Sequence, residues 1–160
     1  RRRVVVFAEH SAGAVAHDSK IGIEIRCLHL YDQIGRDRRR RIAAQYRHEL
    51  QQLPGIEFVE SLPGAASSHK DFSITIDPAR FGMTRDSVRR ALAARGIETR
   101  TYYSPPCHRQ TAYEHFHDRM RPLSATEALA TRSLALPIGA NVDEAVVEEV
   151  CEAIATAKRS

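Results

Sequence analysis

The chain has 160 residues, 42% of them hydrophobic and 28% charged, with a formal net charge of +4. That is enough chain for one domain burying roughly two-thirds of its unfolded surface, and no apolar run approaches the ~20 residues of a membrane span. Cys27, Cys107 and Cys151 are odd in number and widely spaced, which points to a reducing, cytoplasmic setting and away from a disulfide scaffold or a zinc site.

The first residue is arginine, not methionine, so the chain is expected to be processed or to be a piece of something longer. Val4 to Ala8 after Arg1-Arg2-Arg3 has the charge order of an export signal, but the apolar part is too short and no small-residue cleavage site closes it. Residues 1–17 are read as an irregular N-terminal segment, with Val4 to Phe7 strand-like and Ser11 to Ala14 loop-like. Residues 18–160 are read as the domain.

From about Ile21 to Leu53, Ile25, Leu28, Tyr31, Ile34, Ile42, Tyr46 and Leu50 recur at mostly three- and four-residue steps, the mark of a long amphipathic helix. Gly35 weakens its middle and Pro54-Gly55 ends it. Ile56 to Val59 reads as a short strand, and residues 63–68 as a loop. Phe72, Ile74 and Ile76 alternate with Ser73 and Thr75, giving a half-buried strand stopped by Asp77-Pro78. Thr84 caps a helix whose buried side is Val88, Leu92 and Ala93 and which Gly96 terminates. Ile97 to Tyr103 reads as the next strand. Ser124 with Glu127 forms a capping box for a helix to about Ser133, Leu134-Ala135-Leu136 is a strand ended by Pro137, and Asn141 with Glu144 caps a closing helix striped by Val146, Val147, Val150 and Ile154. The fold class that follows is α+β: a small, mostly antiparallel sheet with helices on one face, preceded by the long amphipathic helix.

Candidate chemistry is sparse. Neither a GxGxxG nor a GxxxxGK[ST] phosphate loop occurs. His108, His115 and His117 with Glu114 and Asp118 lack the spacing of a metal site, so no metal is expected. Cys107 beside His108 has no identifiable base partner and reads as structural. The run Arg38 to Arg41 sits inside a helical pattern without interleaved aromatics, so a solvated face or subunit contact is expected rather than nucleic-acid binding. The segment Tyr102-Tyr103-Ser104-Pro105-Pro106-Cys107-His108 remains, where a strand runs into a proline loop. Packing in the sheet and loop capping, or contact with a polar ligand, are both open for Tyr102, Tyr103 and His108.

Several stretches resemble a known family in its own order: Arg38 to Arg47 with Leu53-Pro54-Gly55-Ile56, Lys70 to Asp77, and Leu92 to Arg100 leading into Tyr103 to Gln110 and Ala112-Tyr113. Ser133-Leu134-Ala135-Leu136-Pro137 and the closing helix complete the set. From about Asp18 onward the chain resembles the C-terminal domain of the DegT/DnrJ/StrS sugar aminotransferases, pyridoxal-phosphate enzymes of the aspartate aminotransferase fold. The resemblance implies transfer of an amino group, usually from glutamate, to a keto group on a nucleotide-linked sugar. It places Tyr102, Tyr103 and His108 at the substrate entrance and the long helix at a dimer interface. It also implies that the cofactor lysine and the aspartate on the pyridine nitrogen lie in an N-terminal domain. None of Lys20, Lys70 and Lys158 is in a cofactor-lysine context, so no catalytic or cofactor-binding residue is assigned.

Two departures stand out. Tyr102 occupies a position where the family commonly has histidine. Asp18-Ser19-Lys20 stands where the family's Asn-x-Lys turn meets the partner subunit's cofactor phosphate, and a carboxylate there repels a phosphate. Residues 1–17 show no match, as a frameshifted or truncated gene would leave them. The expectation is therefore the C-terminal domain or a truncated form of such an aminotransferase, inactive alone and binding no pyridoxal phosphate by itself. Its partners would be a second copy or a complementing N-terminal-domain polypeptide, with a nucleotide sugar in the intact enzyme. The alternative is a non-catalytic dimerisation or partner-binding module. Neither a membrane nor a nucleic acid is expected as partner.

Overall fold

Strand register decides which side chains meet. In the computed structural model, which describes residues 21–119 and 121–159 (with side chains over 35–116 and 121–158), β1 (Ile56–Phe58), β2 (Phe72–Ile76) and β3 (Ser133–Leu136) form an antiparallel sheet in the order β1-β2-β3. Ile56 pairs with Ile76, Phe58 with Ile74, Ile74 with Leu134, and Phe72 with Leu136. Paired residues share a face, so this register gathers every one of those apolar side chains on one side of the sheet.

Helix α1 (Ile21–Leu50) crosses that face. Its described apolar residues Ile42, Ala43, Tyr46 and Leu50 are buried, spaced at one-, three- and four-residue steps as a helix stripe requires. The Tyr46 ring stacks on Phe72 at 5.2 Å between centroids, 13° from parallel, and its hydroxyl donates to the Pro137 carbonyl at 2.9 Å. Burial pushes the Tyr46 hydroxyl far above its ordinary range, so it stays a neutral donor. Helix α5 (Glu144–Arg159) packs on α1 and carries Val147, Val150, Cys151, Ala153 and Ile154 into the same core. Helix α3 (Arg85–Ala94) packs on α5 through Val88 and Leu92, and α4 (Ser124–Arg132) lies against β2.

Local chemistry explains most of the element ends. Thr84 caps α3 by accepting from the Ser87 amide, as its sequence position suggests. Gly96, at φ 79°, turns the chain back, and the Ile97 amide returns to the Leu92 carbonyl. Asp77 does more than stop β2: its carboxylate accepts from the Ala79 amide and starts the short helix α2 (Pro78–Phe81), with proline at the first helical position. Two proposed caps are not used. The α5 start is capped by Asp143, whose carboxylate accepts from the Val146 amide, rather than by Asn141. Leu123 occupies the α4 cap with no side-chain bond, so the Ser124–Glu127 box does not form.

The expected strand from Ile97 to Tyr103 is reduced to isolated bridge positions at Ile97 and Arg100. Arg100 pairs with Ala135 through amide–carbonyl bonds of 3.1 and 2.7 Å, after which the chain turns away. Pro105 and Pro106 follow and have no amide hydrogens, so they cannot extend the ladder.

The arginine run is partly solvated, with Arg40 and Arg41 exposed, but three of its members also reach backbone carbonyls. The Arg38 guanidinium donates to the Val142 carbonyl at 3.2 Å, Arg39 to Ser68 at 3.0 Å and Arg40 to Ser67 at 3.3 Å. Three successive arginines thus tie α1 to the loop before β2 and to the start of α5. The readings placed on residues 1–20, including Asp18 and Lys20, and on the side chains of Ile25, Leu28, Tyr31, Ile34, His117 and Asp118, lie outside the described residues. No helix among the described residues is long and apolar enough to cross a membrane.

Among the described glycines, Gly55 holds the tightest approach. Its φ is 88°, and a Cβ there would sit 2.4 Å from the Phe81 amide nitrogen and 2.9 Å from the Asp77 carbonyl oxygen. Both features exclude a side chain. Gly55→Ala is expected to destabilise the fold by about 2 kcal/mol or more, read as a fall of several degrees in the thermal midpoint. An unchanged midpoint would contradict this packing.

Candidate functional site

The loop beyond the Arg100 bridge is built by its prolines. Pro106 leads a 3-10 turn over Cys107–Arg109, closed by the Arg109 amide on the Pro106 carbonyl (2.8 Å) and the Gln110 amide on the Cys107 carbonyl (3.1 Å). A longer 3-10 segment, Thr111–Arg119, follows. This turn puts His108 and Arg109 opposite the first turn of α4.

Glu127 meets them there. Its Oε1 lies 3.1 Å from His108 Nε2 and accepts from Arg109 Nε at 2.8 Å and Nη2 at 2.6 Å. All three contacts converge on one carboxylate oxygen. The His108 side chain is only 10% exposed, whereas Arg109 is 56% exposed. The bonds from His108 and Arg109 hold the Glu127 carboxyl below the usual carboxylate range, so it is an anion at neutral pH. Beside this knot lies an open cleft of about 240 Å³, lined by His108, Arg109, Glu127, Arg121, Ser124 and the apolar Pro122 and Leu123. Two arginines and one carboxylate leave this lining net cationic, which suits a polar, anionic ligand.

Of the three residues singled out in the sequence, His108 lines this cleft. Tyr102 and Tyr103 do not. Their rings meet edge to face at 5.6 Å on the turn before the prolines, and both are exposed, Tyr103 at 59%. They therefore do not pack in the sheet, and they offer aromatic surface to whatever approaches. Glu127, Arg109 and Arg121 were not singled out. A local cap motif accounted for Glu127, and nothing in its own neighbourhood signals a partner 19 residues earlier.

Over residues 25–155 the sequence matches the DegT/DnrJ/EryC1/StrS aminotransferase family. The chain belongs to that family. The dTDP-3-amino-3,4,6-trideoxy-alpha-D-glucose transaminase of Streptomyces venezuelae is 32% identical over 132 residues, 82% of this chain and 33% of that protein. The dTDP-4-dehydro-2,3,6-trideoxy-D-glucose 4-aminotransferase of Saccharopolyspora spinosa is 33% identical over 117 residues, 72% of this chain and 28% of that protein. Among solved structures, DesI in the presence of its TDP-sugar product superposes with a TM-score of 0.72 at 34% identity, covering 79% of this chain and 32% of that one. S. venezuelae DesV in complex with a ketimine intermediate gives 0.70 at 29% identity, covering 87% and 35%. This member of the family thus spans about a third of the length of the curated relatives it matches.

The family is pyridoxal-phosphate dependent, but the described residues do not fit a covalent cofactor site. Lys70 is exposed ahead of β2, and the Lys158 ammonium lies over the Phe81 ring, 5.5 Å from its centroid. Neither lines the cleft. Among the described residues, no three His, Cys, Asp or Glu side chains gather as a metal set.

Two outcomes follow. Cys107 is exposed, whereas Cys151 is buried and its thiol is pushed up to about 12 by burial and by the Glu49 carboxylate. Iodoacetamide on the folded chain is expected to label Cys107 and to spare Cys151 until denaturant is added, as read by peptide mass mapping. Because the Glu127 carboxyl titrates lower in the folded state, its stabilisation is fully present above the ordinary value of 4.5 and is lost as pH falls through the lowered one. Acid titration followed by NMR should therefore leave the Arg109 side-chain signals unchanged down to that ordinary value and shift them only below it.

Proposed function

We propose that this chain is the C-terminal, substrate-side domain of a nucleotide-sugar aminotransferase, and that it is inactive by itself. The observation that carries the reading is coverage: nearly the whole chain matches the family while spanning about a third of its relatives. The lysine positions support it, since none described is placed to hold a cofactor. Pyridoxal phosphate, which supplies the electron sink for amino transfer, would be held by the domain that makes up the rest of the relatives' length.

In this reading His108 contributes a ring nitrogen at the substrate entrance, and Tyr103, with Tyr102 beside it, supplies exposed aromatic surface for the nucleotide-linked sugar. Arg121 and Arg109 make the cleft attractive to the sugar nucleotide's phosphates. The amino donor is glutamate and the acceptor a keto group on the sugar. The working assembly is a dimer, with α1 at the subunit contact, in a reducing cytoplasmic setting.

The test is reconstitution. The purified chain, given pyridoxal phosphate, glutamate and a dTDP-linked keto sugar, is expected to show neither turnover nor the visible absorbance of a lysine-bound cofactor. Co-expression with the N-terminal domain of an aminotransferase relative is expected to yield a co-purifying complex with both. Turnover by the chain alone would overturn the reading. A complete failure to associate would favour the non-catalytic module instead.

A further inference from the structure

The three contacts on Glu127 determine more than the path of a loop. An ionised carboxylate can only accept hydrogen bonds, so the His108 nitrogen that faces Oε1 at 3.1 Å must be the one bearing hydrogen. Arg109 brings two further N–H groups to the same oxygen, which orients the carboxylate and keeps it from turning away. The ring is nine-tenths buried and has one other polar atom, Nδ1, with no hydrogen bond among the described residues.

We propose that Glu127 is a positioning residue that keeps the His108 hydrogen on Nε2, so that in the neutral ring Nδ1 is an acceptor for a hydroxyl hydrogen of the bound sugar. The substrate half of this proposal rests on the aminotransferase reading above; the tautomer half is a property of this chain alone. Glu127 acts entirely through His108 and Arg109. It selects what kind of group the ring can receive, a donor hydroxyl rather than a carbonyl or phosphate oxygen. Without the carboxylate, neutral imidazole exchanges between its two tautomers, and the ring presents either a donor or an acceptor.

The experiment uses the ¹⁵N-labelled full chain and two-bond ¹⁵N–¹H correlation of the histidine rings. His108 is expected to show a protonated Nε2, an unprotonated Nδ1, and an Nε2 proton slow enough in exchange to be seen directly. In Glu127→Met, which keeps the side-chain bulk and removes the acceptor, that proton signal is expected to disappear and the two nitrogen shifts to converge. A folded E127M is recognised by its dispersed amide spectrum. If it is lost, Glu127→Ala is read in the same way, and if both are lost the unmodified chain decides. An Nδ1–H tautomer in the unmodified chain overturns the proposal, as does an Nε2 proton that persists in a folded variant.

In the reconstituted aminotransferase, E127M is expected to raise KM for the keto sugar by roughly twofold, the factor lost when the ring is shared between two tautomers, with kcat nearly unchanged. An unchanged KM overturns the substrate half. Failure of reconstitution strikes the domain reading and leaves the ring spectra valid, so the two are distinguishable.

Discussion

Tyr46 is where the long helix, the sheet and the closing segment become one structure. Its ring lies flat on Phe72, at the start of the central strand, and its hydroxyl reaches the carbonyl that follows the last strand. A tyrosine buried this fully must find a partner for its hydroxyl, and the Pro137 carbonyl is that partner. The bond ties residues 91 apart in sequence. It sets the height of α1 over the sheet, and thereby the positions from which Arg38, Arg39 and Arg40 reach their carbonyl partners. Those arginines in turn crowd the loop before β2, where partial burial and the charges of Arg47, Arg40 and Arg39 lower the pKa of His69.

The candidate site inherits this order at one remove. β3 is held by β2 on one side, and its Ala135 is bridged by Arg100 on the other. The junction of α4 and β3 is held as well: the buried Arg85 donates to the carbonyls of Ala130 in α4 and of Ser133, the first residue of β3. With its C-terminal end fixed by α3, α4 presents Glu127 from its first turn at a set height. The proline turn then has one place to dock.

Much of this was legible in the chain, and the parts that were not share a cause. The alternation of Phe72, Ile74 and Ile76 marks a strand wherever it is met, because one face must be buried. Thr84 and Gly96 delimit α3 by local backbone chemistry alone. The family likeness was legible for a similar reason, since its stretches run through contiguous residues. What failed were choices among local options settled from far away. Ile97 to Tyr103 has strand composition, but an extended strand needs a partner along its length, and the segment is held only at isolated bridge positions, Arg100 by Ala135 among them. Asp143 displaced Asn141 as a cap two residues later. Ser124 and Glu127 have the spacing of a capping box, yet the carboxylate gains more from a histidine and a guanidinium than from a single backbone amide. The carbonyl partners of Arg38, Arg39 and Arg40 were not legible either, because carbonyls presented by distant loops leave no mark beside the run.

The convergence of His108 and Arg109 on one oxygen has a mechanical consequence. Two residues that share a single acceptor cannot be repositioned independently. Rotating the Glu127 carboxylate strains both at once, so the loop and the first turn of α4 share one joint at that wall of the cleft.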